Sequence, residues 1–579
     1  MTQRAAMFAL IFVASLGFAQ GVKSAMRQDD GRGGRQGRIS PELATLLAHT
    51  SQAKAARQTL EVIVQYRQSP TAAQFAKLNG TAFGRLNLVR GGVVKLPLAA
   101  IGALANDPQV LYISPNRALR GADDYAVEAV GADVAQTAGW DGTGVTVAVI
   151  DSGIHPNPDL NDLSTGQSRV VYSESFVPGT DTDDHYGHGT HVAGIIGGNG
   201  KQSNGKANPK RIAGIAPGVQ LVNLKVLDSN GQGRDSYVIA ALQRAIALKN
   251  TYNIRIVNLS LGRPIYETYA QDPLCQAVEA AWKAGLVVMV AAGNDGRDDD
   301  YNNDGYATIN APGNDPYVLT VGAMNTMNTQ SKSDDVIASY SSKGPSLLDH
   351  VVKPDLVAPG NRIASLLVPN STLDNLLKAN EVSPTVYGAS SSSAKAYFIL
   401  SGTSMATPMV SGAAALLLDK DASLSPDAIK ARLMKSADKI FPAQSQLSVN
   451  GHLNSYQYDV FTVGAGYLDI PGALSNTDPV NGTALSPIAV RHSGNVYLVA
   501  DSSSIWSNSV IWGSSVVWGN AVLSGNSVIW GSSVVWGNTT MDGCSVIWGS
   551  SVIWGTLSAT DAGNDALSVD GNGDDTGNN

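Results

Sequence analysis

The chain has 579 residues, which allows about three to four domains at roughly 150 residues each and at least one large buried core. Hydrophobic residues make up 43% and charged residues 15%, which excludes a disordered chain, and 60 glycines without a three-residue period exclude collagen. A formal charge of −8 leaves no broad basic footprint, so no nucleic acid partner is expected, and Cys275 and Cys544 cannot by themselves build a disulfide framework or a zinc cluster.

Arg4 precedes an apolar stretch from Ala5 to Phe18, with Gly17 and Ala19 as the small residues of a cleavage site, so residues 1–19 read as a secretory signal peptide. The stretch is shorter than the ~20 residues of a membrane-spanning helix, and the expected location is secreted, extracellular or cell-surface. Residues 20–59, rich in Gly, Arg, Gln and Ala, read as a flexible spacer with one short helix near Pro41 to Leu47. Residues 60–120 then read as a small α+β domain. Strands are expected at Leu60–Tyr66, Leu86–Val89, Val93–Leu98 and Val110–Ser114, with helices at Thr71–Leu78 and Leu98–Ala105.

From Val145 the pattern changes to short, mostly β-branched runs: Val145–Ile150, Leu221–Leu227, Ile254–Leu259, Leu286–Ala291 and Val318–Ala323. Helix-length amphipathic segments, Tyr237–Leu248 and Leu274–Ala284, lie between them. This alternation predicts an α/β fold, a doubly wound parallel sheet with helices on both faces, in which ligands bind outside the carboxyl ends of the strands.

Residues 476–505 read as a linker to a β-rich repeat over 506–556. Trp506, Trp512, Trp518, Trp530, Trp536, Trp548 and Trp554 lie on a strict six-residue grid, with Ser524 and Asp542 at the two missing positions. Six residues per rung suits a small β-solenoid or a hairpin stack. The repeat is either a surface module contacting polysaccharide or envelope through exposed aromatics, or a self-packed appendage whose tryptophans are its core. Residues 557–579, with five aspartates and no lysine or arginine, read as a disordered acidic tail.

Three polar residues fall where such a sheet places a site. Asp151 ends the first strand in Ala-Val-Ile-Asp-Ser-Gly, His188 lies in Tyr-Gly-His-Gly-Thr-His-Val-Ala-Gly, and Ser404 lies in Ser-Gly-Thr-Ser-Met-Ala-Thr-Pro at the start of an apolar helix. Taken singly, the aspartate and the serine read as helix caps. Taken together and in this order, the three motifs closely resemble the subtilisin-like serine proteases, the subtilase family. Val-Met-Val-Ala-Ala-Gly293-Asn294 and Asn258-Leu-Ser-Leu-Gly262 resemble the family's oxyanion and substrate-strand segments.

The resemblance implies a serine endopeptidase acting on protein or peptide substrates, with Ser404 as nucleophile, His188 as general base and Asp151 orienting the imidazole. It places the Asn294 amide and the Ser404 backbone N–H in the oxyanion hole, and Ser260, Leu261 and Gly262 along the substrate. His191 is expected to pack on the helix or to hydrogen-bond locally. Arg263 stands where many relatives have glycine, either as a solvated charge or as a group narrowing a subsite. The resemblance also makes residues 60–120 a chaperone and intramolecular inhibitor, a propeptide processed near Leu119 to Asp123 ahead of a catalytic domain over 121–475. No cofactor is expected for catalysis. Structural calcium is implied only through Asp159, while the Gly198–Asn208 loop departs from the family pattern and carries lysines; no metal ligand is assigned. Asp295–Asp304 gathers hard oxygen ligands or is a solvated acidic loop. The stretch between Gly360 and Ser401, with its serine run, reads as a flexible insertion. The alternative function is an inactive subtilase-like scaffold that binds surfaces through the tryptophan repeat.

Overall fold

The computed structural model describes residues 38–40, 59–68, 81–86, 90–115, 126–203, 211–298, 303–442, 444–449, 452–480, 482–492 and 495–500, with isolated positions before 59 and short strands between 516 and 554. The expected signal peptide, the helix at Thr71–Leu78 and the acidic tail lie outside the described residues. The chain divides into two compact units, one ending at Leu119 and one running from Arg120 to Gly577.

In the first unit, β1 (Thr59–Tyr66), β2 (Thr81–Leu86), β3 (Gly91–Pro97) and β4 (Val110–Pro115) form an antiparallel sheet in the order β2-β3-β1-β4. Alternation in Leu-Glu-Val-Ile-Val-Gln-Tyr turns Val62 and Val64 to the buried face, where they pack with Val94, Leu96 and residues of α1 (Leu98–Leu104). Of the strand expected at Leu86–Val89 only Leu86 lies within the described residues, as the last residue of β2, which begins at Thr81. A bulge between Ala82 and Gly84 breaks its period, so alternation could not reveal it.

The second unit is built on a sheet of β5 (Thr146–Asp151), β6 (Val170–Ser175), β7 (Gln220–Lys225), β8 (Ile254–Leu259), β9 (Val287–Ala291), β10 (Leu319–Asn325), β11 (Val336–Ile337) and β12 (Leu356–Pro359). The order is β11-β10-β9-β8-β5-β7-β6, with β12 also on β10, and every pairing is parallel except β10 with β11. Every residue of β5, β9 and β10 is buried, as strands covered on both faces require. α2 (His188–Gly197) packs with α5 (Thr403–Lys420), and α3 (Asp235–Tyr252) packs with α4 (Pro273–Lys283); each pair also packs on the sheet. α4 starts at Pro273 because Asp272 caps it, accepting from the Leu274 N–H at 2.9 Å.

The strand order reverses at β5, which lies between β7 and β8, so the crevice for a ligand opens at its carboxyl end, where Asp151 sits. The run expected to Leu227 stops at Lys225, because the N–H groups of Val226 and Leu227 turn to the Asp151 carbonyl at 2.8 and 3.2 Å. The Gly360–Ser401 stretch is not simply a loop: β13 (Ile363–Leu366) and β14 (Tyr397–Leu400) pair antiparallel, and Tyr387 and Tyr397 are fully buried. Ser390–Ser393 at its far end are exposed.

Within 476–505, Ile488–His492 and Asn495–Val499 form an antiparallel pair, and Ser486 and Ala489 are buried. In the repeat, Trp518 stands in register with Trp536 and Trp536 with Trp554, Trp530 with Trp548, and Ser524 with Asp542, all in parallel strands. Partners lie three hexapeptides apart, which is the pairing of a parallel solenoid rather than of stacked hairpins. The two grid positions that lack tryptophan fall side by side in one sheet.

Candidate active site

Asp151 is 1% exposed at the end of β5, and its Oδ1 accepts from the Ser152 N–H and lies 2.7 Å from His188 Nδ1. The carboxylate therefore is not a helix cap. His188 opens α2 after Gly187, and Gly189 permits the approach, since a Cβ there would meet the Gly153 carbonyl at 2.3 Å. Burial pulls the imidazole pKa down, but the charge and hydrogen bond of Asp151, with Asp184 nearby, outweigh it and leave the pKa raised. With Nδ1 facing a carboxylate, Nε2 is the nitrogen free to exchange a proton.

Ser404 is the second residue of α5, after the cap position at Gly402, so it does not cap the helix either. Its hydroxyl donates to the Ser260 carbonyl at 3.0 Å, and the Ser260 hydroxyl donates back to the Ser404 carbonyl at 2.8 Å. Pro408 explains why that carbonyl is available. It stands one turn further on and has no N–H to give it. Asn258 extends the network, donating to Ser260 Oγ at 2.9 Å and accepting from Ser411 at 2.8 Å. The Ser404 N–H lies in the first turn of α5, where backbone donors have no partner inside the helix.

Asn294 follows β9, and its Oδ1 accepts from the Thr403 N–H at 2.9 Å. That contact fixes the amide orientation, because a backbone N–H can face only the oxygen, and it leaves the Asn294 NH2 as a donor beside the start of α5. Ser260, Leu261 and Gly262 run on from β8, with Gly262 exposed at the surface. Arg263 is neither a solvated charge nor a free subsite group. Its guanidinium forks onto Asp235 at 3.0 Å and Asp272 at 2.9 Å, and it lies over the Tyr266 ring.

Sequence reasoning passed over Asp184. It is fully buried and accepts from the Ser152 hydroxyl, the Gly187 N–H and both the N–H and the hydroxyl of Thr190, at 2.7 to 2.8 Å. It thereby ties the segment after Asp151 to the first turn of α2. The only signal for it was an acidic residue one turn before His188. His191 is buried and donates from Nε2 toward the carbonyls of Ile363 at 3.2 Å and Phe398 at 3.0 Å. Burial pulls its pKa to about 3, so it stays neutral, and its partners are β13 and the β14 end rather than local groups.

The implied calcium does not fit its residue. Asp159 is fully buried with both carboxylate oxygens engaged, Oδ1 by the Gln202 N–H at 2.8 Å and Oδ2 by the Tyr397 hydroxyl at 2.6 Å. Asp295 accepts from Asn310 at 3.0 Å, and among the described residues no cluster of three acidic, histidine or cysteine side chains is arranged for a metal.

The structure thus joins Asp151 to His188 at the carboxyl end of β5, and Ser404 to Ser260 just past the carboxyl end of β8, on the same parallel sheet. Residues 142–460 match the model of the subtilase family, and the chain belongs to that family. It is similar to the serine protease AprX of Bacillus subtilis (strain 168), 37% identical over 364 residues that cover 62% of this chain and 75% of the relative. Subtilisin E of the same strain is 32% identical over 388 residues, 65% of this chain and 84% of the relative. A subtilisin of Bacillus pumilus is 35% identical over 316 residues, 54% and 90% respectively. The protein is thus a serine endopeptidase with the α/β subtilase fold.

Proposed function

We propose that this protein is an exported endopeptidase made as a self-processing zymogen, with Ser404, His188 and Asp151 as its catalytic triad. The observation that carries the reading is the 2.7 Å contact between Asp151 and His188 Nδ1 at the carboxyl end of the central strand. In the reaction, the Ser404 hydroxyl turns from the Ser260 carbonyl to His188 Nε2, gives up its proton and attacks the substrate carbonyl. His188 then delivers that proton to the leaving amine, and water releases the acyl group by the same route. Asp151 holds the tautomer and stabilises the imidazolium. Asn294 and the Ser404 N–H receive the oxyanion, while Ser260 to Gly262 offer an extended edge for a substrate strand. No step uses a cofactor. The signal-like residues 1–19 support export, and the first unit, a small α+β domain ahead of the catalytic unit, supports the propeptide role.

The test is the intact mass of the purified full chain over time, beside Ser404→Ala prepared identically. Loss of an N-terminal piece ending near Leu119 to Asp123 in the parent alone is the expected result. A parent that stays intact and leaves peptides uncut would instead favour the scaffold reading. For Asn294→Ala, kcat should fall by about 10²–10³ with KM nearly unchanged, the scale known from a subtilisin, because the amide acts on charge that develops only in the transition state. An equal loss in KM would move Asn294 to ground-state binding.

A further inference from the structure

Several backbone segments of the catalytic unit converge on one buried cation. Arg169, 7% exposed just before β6, donates from Nη1 to the Val219 carbonyl at 2.7 Å and from Nη2 to the Asp159 carbonyl at 2.9 Å. Nη2 also donates to the Gly197 carbonyl, and Nε reaches the Asn161 carbonyl at 3.4 Å. Gly197 is the last residue of α2, so the positive charge sits at the negative end of the helix that His188 opens. A Cβ on Gly197 would meet Val219 Cγ2 at 2.7 Å and Nη1 at 3.3 Å, so this corner is closely packed.

Backbone carbonyls gathered beside a carboxylate are the ligand chemistry of a hard divalent cation. Here those carbonyls accept from a planar guanidinium, and each oxygen of the neighbouring Asp159 carboxylate already accepts one hydrogen bond, from Gln202 and from Tyr397. Burial lowers the Arg169 pKa to about 10, which still leaves it charged at neutral pH. A metal ion added at this corner would meet a fixed positive charge on the very carbonyls it would need.

We propose that Arg169 is a built-in cation that takes the place of calcium, joining the end of α2 to the Asp159 loop and to the approach to β7 without metal. Arginine suits the task because its fork addresses several carbonyls at once, where lysine offers a compact point charge.

Thermal unfolding of full-length Ser404→Ala, which cannot digest itself, tests this in calcium and in chelator, beside the same chain carrying Arg169→Met or Arg169→Lys. The parent should melt at one temperature in both solutions. Arg169→Met should melt several degrees lower, and Arg169→Lys between the two. A calcium-dependent rise in the parent that Asp159→Asn abolishes would overturn the proposal, as would an Arg169→Met chain that melts with the parent. If Arg169→Met does not fold, calcium titration calorimetry on the parent and on Asp159→Asn decides. Identical heats support the built-in cation, and a binding site lost with Asp159 refutes it.

Discussion

Ser404→Ala should lower kcat by about 10⁶ on a peptide substrate while leaving KM within a few-fold, a magnitude carried over from subtilisin. The reason lies in how the three side chains act. On the proposed mechanism His188 and Asp151 accelerate the reaction only by activating Ser404, so removing the nucleophile forfeits their contribution as well. What survives is the part that needs no nucleophile: the Asn294 amide, the α5 N–H groups and binding along Ser260 to Gly262. Those groups leave roughly 10³–10⁴ over water. The fold should be unaffected, since the Ser404 hydroxyl makes one hydrogen bond, to Ser260, and the return bond from Ser260 uses the Ser404 backbone. Steady-state kinetics on a chromogenic peptide, with circular dichroism to verify folding, would check this. A loss smaller than about tenfold would show that Ser404 is not the nucleophile.

Asp151→Asn should lower kcat by about 10⁴ and move the pH dependence as well. In the parent, Asp151 and Asp184 overcome burial and raise the His188 pKa above its ordinary 6.5. Only the neutral imidazole can take the serine proton. The kcat/KM of the parent therefore falls as pH drops through that raised pKa, with its half-maximum above 6.5. Asparagine removes the charge and leaves the burial, so the residual activity should reach its half-maximum at lower pH than in the parent. The plateau is lower because the amide no longer enforces the tautomer with Nε2 free. A pH profile of kcat/KM for both proteins measures the shift, and an unmoved acid limb would show that Asp151 does not govern His188.

The short-range content of the fold was legible because it is written in local periodicity. Buried parallel strands are short β-branched runs, and β5, β8, β9 and β10 appear close to where such runs occur. Edge strands carry weaker signals. β6, only partly buried, has its apolar residues Val170, Val171 and Tyr172 in one run with no alternation, and β2 loses its period at a bulge. Asp151, His188, Asn294 and Ser404 were singled out for another reason: the motifs around them resemble those of the subtilase family, whereas taken singly the aspartate and the serine read as caps.

The sequence by itself thus determined the α/β class, the place of Asp151 at a strand's carboxyl end, the motifs of the candidate site and the hexapeptide grid, since these depend on residues near one another in the chain. Tertiary structure alone decided what distant residues do to each other. It paired Arg263 with Asp235 and Asp272, engaged Asp159 with Tyr397, and made Asp184 a bridge from Ser152 to Thr190. It also brought Ser260 to the Ser404 carbonyl that Pro408 leaves open, and set Arg169 among the carbonyls of Asp159, Gly197 and Val219. A buried polar group must find a partner, but the chain fixes which one only once folding has brought remote segments together, and no local period records that choice.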